Sequence, residues 1–254
     1  AQLGQVSVPD ERLTKLAELV HPGRIVPAVC DIVDIAGLVK GASQGEGLGN
    51  QFLGNIRETD AIIHVLRCFD NDNIVHVDGS VNPVRDKEII DLELQFKDLE
   101  TIENRIKRVE KQARVGGDKQ AKLEYDVLMQ YKEALEAGKS ARTVTFETED
   151  EQVIAKNLFL LTAKPVLYVC NVDDTSAANG NKYVEAVREA TKDENAELLI
   201  ISAQTEADIA ELESYEEKQM FLEDMGLKES GCDRLIKAIY QLLNLQTYIT
   251  AGPM

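Results

Sequence analysis

The chain has 254 residues, a formal net charge of −17 and a pI near 4.6, which excludes broad, non-specific affinity for nucleic acid because phosphates would be repelled. Hydrophobic residues make up 44%, enough for a sizeable core in one large domain or two modest ones. No apolar run approaches the ~18 residues of a membrane helix, and Cys30, Cys68, Cys170 and Cys232 form no CxxC pair, so they read as reduced residues of a cytoplasmic protein.

The first strong element is an apolar run at 26–33, read as a buried strand that ends at Asp34. Asp34-Ile35-Ala36-Gly37 follows directly. In nucleotide hydrolases an Asp at a strand end reaches Mg²⁺, usually through water, and the Gly lets a backbone N–H approach the γ-phosphate. DxxG is common by chance, and its weight here comes from its place. Residues 40–50 (KGASQGEGLGN) carry Gly41, Gly45, Gly47 and Gly49, a composition unsuited to a strand or a helix interior. Beside DxxG it reads as a switch loop that orders around a phosphate. A helix is predicted over 48–58 and a second buried strand over 61–68 (AIIHVLRC).

The next stretch differs. Over 86–114 the apolar residues Leu92, Phe96, Leu99, Ile102, Ile106, Val109 and Ala113 recur at three and four, one stripe of a long helix. Gly116-Gly117-Asp118 breaks it, and a second helix with Leu128, Tyr131 and Leu135 on one side runs to Gly138. The pair reads as an antiparallel hairpin with a charged surface, either a structural arm or a partner-docking one. Lys107, Lys111 and Arg114 share a face.

A third strand is predicted at 165–170 (PVLYVC), running into Asn171-Val172-Asp173-Asp174. This is N-x-x-D at the position where guanine-nucleotide hydrolases carry N-K-x-D, whose Asp accepts from the guanine N1–H and amino group. Val172 replaces the base-covering Lys with an apolar residue that suits either purine. After a helix at 182–191, a fourth strand at 198–202 ends in Ser202-Ala203-Gln204, similar to the S-A-K loop whose backbone N–H approaches the base edge. A helix at 232–243 precedes 245–254 (LQTYITAGPM), which reads as the start of another strand. With Ala at residue 1, both ends read as cut.

Alternating strands and helices predict an α/β, P-loop NTPase-type (G-domain-like) fold with a mostly parallel sheet and an inserted antiparallel helical hairpin. The phosphate-binding G-x-x-x-x-G-K-[ST] itself is absent. Gly138-Lys139-Ser140 is a decoy, because its first glycine would fall at Glu133 and it follows a helix.

Long strings, including DIAGLVKGASQGEGLGNQFLGNIRETDAI from Asp34, RCFDNDNIVHV from Arg67, NVDD at Asn171, TEADIAEL from Thr205 and LLNLQTYITAG from Leu242, resemble the Obg-like ATPase (YchF) family over the whole chain. The resemblance implies a nucleotide-binding domain over 1–84 and 162–244, an inserted α-helical, coiled-coil domain over 85–161, and the start of a TGS domain over 245–254, with the P-loop preceding residue 1. It implies Mg²⁺-dependent hydrolysis of ATP, with GTP as the alternative, and a cytoplasmic, ribosome-associated protein. Leu38 stands where many relatives of the wider class carry a water-orienting Gln, and the resemblance gives that role to His76. Asp174 departs from the family, which usually has Glu there. Asn171, Val172, Asp174, Ser202, Ala203 and Gln204 are the expected base-binding residues. Asp34, Gly37 and Leu38 are the expected phosphate and switch residues, with Asp34 toward the metal. A non-catalytic ribosome-docking module is the competing reading for a chain without its phosphate loop, and weak or no hydrolysis is expected of this chain alone.

Overall fold

The computed structural model describes residues 2–35, 48–76, 79–115, 117–194 and 196–252. Strand β1 (Gln2–Ser7) leads into helix α1 (Glu11–Val20), whose first turn is closed by Asp10 accepting from the Arg12 N–H. Strand β2 (Val29–Asp34) runs antiparallel to β1, with Gln2 opposite Asp34 and Ser7 opposite Val29. The strand expected from residue 26 starts later. Pro27 interrupts that run and has no N–H to give a ladder.

Helix α2 (Leu48–Glu58) and strand β3 (Ile62–Arg67) follow, then the long helix α3 (Pro83–Val115) and helix α4 (Lys119–Glu136). Helix α5 (Glu149–Asn157) starts in a Thr148/Glu151 capping box. The rest of the chain supplies strand β4 (Val166–Asn171), helix α6 (Lys182–Thr191), strand β5 (Glu197–Ile201), and helices α7 (Ala203–Glu211), α8 (Tyr215–Asp224) and α9 (Gly231–Leu242).

β3, β4 and β5 form a parallel sheet in that order, with Ile62 opposite Val166 and Leu167 opposite Glu197. The alternation along β4 shows why its apolar run is unbroken. Val166, Tyr168, Cys170 and Val172 join Val184 and Val187 of α6 on one face, while Leu167 and Val169 meet Ala238 and Ile239 of α9 on the other. β2 hydrogen-bonds to β1 and not to β3, although Cys30 and Ile35 pack into the cores around β3. One expectation is corrected: residues 245–252 form no strand.

The hairpin is present. At the 1.5 Å rise of an α-helix, α3 is about 50 Å long, and α4 packs back along it after Gly117, whose φ of +63° suits a glycine. Asp118 caps α4, accepting from Gln120 and Ala121 N–H. Ile102 and Val109 meet Val127, Leu128, Tyr131 and Leu135 in the arm's core. The expected stripe holds only there. Leu92 and Phe96 are 48% and 59% exposed, because the first half of α3 lies on the body and buries a different face, with Ile90 and Leu94 against α2. Among the described residues no helix is long and apolar enough to cross a membrane, and all four cysteines are free.

Candidate nucleotide-binding site

The ends of β4 and β5 come together side by side, and hydrogen bonds join their loops. Asn171 Oδ1 accepts from the Ala203 N–H at 3.0 Å. Asp174 Oδ1 accepts from Ser202 Oγ at 2.6 Å and from Thr205 Oγ1 at 2.9 Å. Ser202 also caps α7, its Oγ accepting from the Thr205 N–H at 3.2 Å. One small loop thus holds Asn171, Asp174, Ser202 and Ala203 in a single hydrogen-bonded unit. Asp174, Ala203 and Gln204 are exposed on it. Gln204 turns along its helix, donating to Asp208 at 2.9 Å. Asp173 caps the turn after β4, and hydrogen bonds from Thr175 and Ser176 hold its carboxyl below the usual carboxylate range.

Val172 is placed differently. Its side chain is 3% exposed in the core beside Cys68 and Val187, and its N–H donates to Ile201 O. The expectation that Val172 covers a base is therefore corrected: the alternation of β4 continues one residue past the strand and turns it inward.

Asp34 ends β2, exposed. Gly37, Leu38 and the glycines at 41, 45 and 47 lie outside the described residues. Past β3, the Arg67 guanidinium gathers its own loop, donating to Phe69 O at 3.2 Å, Ile74 O at 3.0 Å and Asn71 O at 3.1 Å. Asp70 fastens the loop to α6 by accepting from Tyr183 O–H at 2.7 Å, and that bond pushes the Tyr183 hydroxyl pKa upward. The loop leads to His76, whose Nε2 lies 2.9 Å from Asp86 Oδ2. Arg67, Asp86 and Thr205 are the residues the sequence reading missed. Arg67 is a lone cation at the end of an apolar strand, the one signal that pointed to it.

A hydrogen-bonded β4–β5 loop pair at the end of a parallel sheet between helical layers is an arrangement of the P-loop GTPase class of nucleotide hydrolases. The protein-family model described as "50S ribosome-binding GTPase" matches residues 13–115. The chain is 54% identical over 252 residues to the ribosome-binding ATPase YchF of Bacillus subtilis, covering 98% of this chain and 68% of that protein. It is 40% identical over 253 residues to Obg-like ATPase 1 of Xenopus laevis, covering 98% and 63%. The solved structure of the Schizosaccharomyces pombe YchF GTPase superimposes with a TM-score of 0.85 at 34% identity, covering 98% of this chain and 68% of that one. The chain belongs to the YchF family of Obg-like ATPases.

Proposed function

We propose that the chain is the body of a Mg²⁺-dependent, ribosome-binding ATPase that works in the cytoplasm, with GTP as a poorer substrate. The observation that carries this reading is the joined loop pair, in which the Asn171 and Asp174 carboxamide and carboxylate are both pre-set by the β5–α7 turn. Such a unit presents an acceptor and backbone groups to a purine edge without reorganising when the base arrives. Relatives are named as ribosome-binding ATPases, which supports ATP as the substrate and the ribosome as the partner. The base-binding set is Asn171, Asp174, Ser202, Ala203 and Gln204; Asp34, Gly37 and Leu38 serve the phosphate end.

Asp34 suits Mg²⁺ as a hard oxygen donor at a strand end. Among the described residues no three His, Cys, Asp or Glu side chains gather closely enough to hold an ion. The ion would take one protein carboxylate and otherwise water and phosphate oxygens, the donors Mg²⁺ favours. When bound, it neutralises charge building on the transferred phosphoryl group. His76 is the group that aligns the attacking water, since a leucine at 38 offers no hydrogen bond for that task.

The sequence contains no G-x-x-x-x-G-K-[ST], so this chain lacks the amides and lysine that cradle the β- and γ-phosphates. Turnover of ATP by residues 1–254 is expected to be at least about 100-fold below that of a version extended at its N-terminus with the relatives' phosphate loop, since such groups act chiefly on the transition state. Equal turnover by the two proteins, measured as phosphate release, would sink the reading.

A further inference from the structure

The loop that leads to His76 begins where β3 ends, and its first peptide is held from two directions. The Cys68 N–H donates to Asn171 O at 2.7 Å, which carries the β3–β4 ladder into the base-binding loop. The Cys68 carbonyl accepts from Asn181 Nδ2 at 2.7 Å. Asn181 opens α6, its Oδ1 accepting from the Tyr183 N–H at 3.0 Å and the Val184 N–H at 3.2 Å. Its Nδ2 also reaches Ser176 Oγ at 3.4 Å, in the turn that contains Asp174. One carboxamide thus touches three segments: the root of the His76 loop, the turn of the base-binding site, and the first turn of α6.

Capping alone does not call for an asparagine. A cap uses only the side-chain acceptor, which serine or aspartate supplies as well. The amide nitrogen is what those residues lack, and here it bonds outside the helix. Gly180 sets the approach. Its φ of +75° turns the chain into α6, and its N–H donates to Ser176 O at 2.7 Å. A Cβ there would meet Ile200 Cδ1 at 3.1 Å and Val184 Cβ at 3.3 Å, so a larger residue would push α6 away from β5. Two residues past Asn181, the Tyr183 O–H donates to the Asp70 carboxylate, whose oxygens lie 2.7 and 2.8 Å away. That tether is exposed, whereas the Asn181 bond is half-buried, where a hydrogen bond is electrostatically stronger. On the other side, the Arg67 guanidinium gathers the Phe69, Asn71 and Ile74 carbonyls. The loop is therefore pinned along its length up to two residues before His76.

We propose that Asn181 is a positioning residue for hydrolysis: through Cys68 it holds the loop that leads to His76 in register with the loops that bind the base, so that a seated purine and an aligned water belong to one rigid unit. The inference rests on the role given to His76 under the proposed function. Loss of the Asn181 bond would leave the base-binding loops in place, since Ser202, Ala203 and Thr205 set Asn171 and Asp174. It would let the His76 loop drift, and a displacement of about 1 Å at a reacting group costs on the order of 100-fold in rate.

Two measurements test this. The first uses the chain as it is. Asn181→Ser keeps a capping oxygen and has no amide to offer Cys68 O. Amide hydrogen exchange over residues 68–76 is expected to quicken by about 5-fold or more, while the amides of α6 stay near the wild type. Unchanged exchange in the loop overturns the proposal, and so does fraying of α6 without a change in the loop, because Asn181 would then be a cap only. Tyr183→Phe removes the exposed tether alone and keeps the fold whatever Asn181→Ser does. It is expected to quicken exchange over residues 70–73 by about twofold; no change there overturns the proposal as well. The second measurement uses the version carrying the relatives' phosphate loop. Asn181→Ser is expected to lower kcat by about 10–100-fold, with the directly measured Kd for ATP within about twofold. A Kd that rises as far as kcat falls overturns the positioning role, since Asn181 would then serve binding. An unchanged kcat in Asn181→Ser beside a collapsed kcat in His76→Ala overturns it too and spares the role of His76. An unchanged kcat in both variants overturns the two together.

Discussion

Asp174 has one carboxylate oxygen committed to Ser202 and Thr205, which leaves its second oxygen to meet a ligand with a restricted set of orientations. Two charge-assisted hydrogen bonds on Oδ1 hold the short side chain back against α7. A glutamate there would keep the charge and reach one methylene further, pushing the acceptor outward and changing which ring atoms it meets. The substitution therefore tests base choice directly. In the version with the phosphate loop, Asp174→Glu is expected to raise the preference for ATP over GTP by a factor of about 5–20, the range of a single adjusted hydrogen bond. The ratio of the two Kd values, measured by titration, checks it; a ratio that does not move would show that Asp174 serves the loop and not the base. The residue scale also shows where sequence reading reached its limit. Asn171, Asp174 and Ser202 stood out because motif spacing survives in one dimension. The inward turn of Val172 did not, since it depends on how far the pleat of β4 persists.

At the scale of elements, the junction between α3 and the body is the least legible part and the most polar. Asp98 is fully buried, with Oδ1 accepting from the Leu161 N–H and Oδ2 from the Thr162 N–H and Oγ, each at 2.7 Å. Burial raises its pKa, and the bonds from Thr162 and Leu161 oppose that rise. Thr162 Oγ1 accepts in turn from the Ala141 N–H at 2.9 Å. Lys164, two residues on, donates to the Arg57 and Thr59 carbonyls at the end of α2, and Arg57 donates to Thr101 of α3 at 3.3 Å. A continuous polar seam thus joins α2, the approach to β4, and the arm helix. Asp98→Ala would leave two backbone N–H groups and a hydroxyl without their partner. The expected loss is about 2–4 kcal/mol, since each buried donor left unsatisfied costs about 1–3 kcal/mol and water recovers part of it. The urea midpoint should fall with the slope unchanged; a shift under ~0.5 kcal/mol would mean the seam is wet. Counting apolar residues could not find this junction. The stripe from Leu92 and Phe96 is the better-looking one in the sequence, yet the face used is the one with Lys87, Leu94 and Asp98. Lys87 lies buried between Asp91 and Glu194 at 2.6 Å each, and a periodicity argument assigns such residues to solvent. The long helices and the β3–β4–β5 strands were readable because each is a long, single-period signal. β1 was not, because its side chains are mostly exposed and it owes its place to the ladder with β2.

For the whole molecule, a net charge of −17 sets a condition on the proposed partner. A surface this acidic is repelled by ribosomal RNA at distances beyond a Debye length, so docking must rely on a local cationic face. The outer half of α3 offers one. Lys107 and Lys111 are one turn apart and exposed, and no salt bridge holds either among the described residues. Arg114, on the same face, is already engaged by Glu110 at 3.0 Å and by the Tyr125 hydroxyl at 3.4 Å. Two lysines free to meet phosphates give a definite signature. Each neutralised phosphate contributes about 0.7–0.9 to the slope of log affinity against log salt. Replacing both, as Lys107→Ala with Lys111→Ala, is expected to reduce the magnitude of that slope by roughly 1.5 in co-sedimentation with ribosomes. The fold should be unaffected, because surface changes away from buried features rarely exceed about 0.5 kcal/mol. Affinity should also fall most at low salt and converge with the wild type as salt rises, because screening removes the same contacts in both proteins. A variant that binds with the wild-type slope would move the docking face off this part of the arm. One that loses affinity equally at all salt concentrations would mean that the two side chains act through packing and not charge.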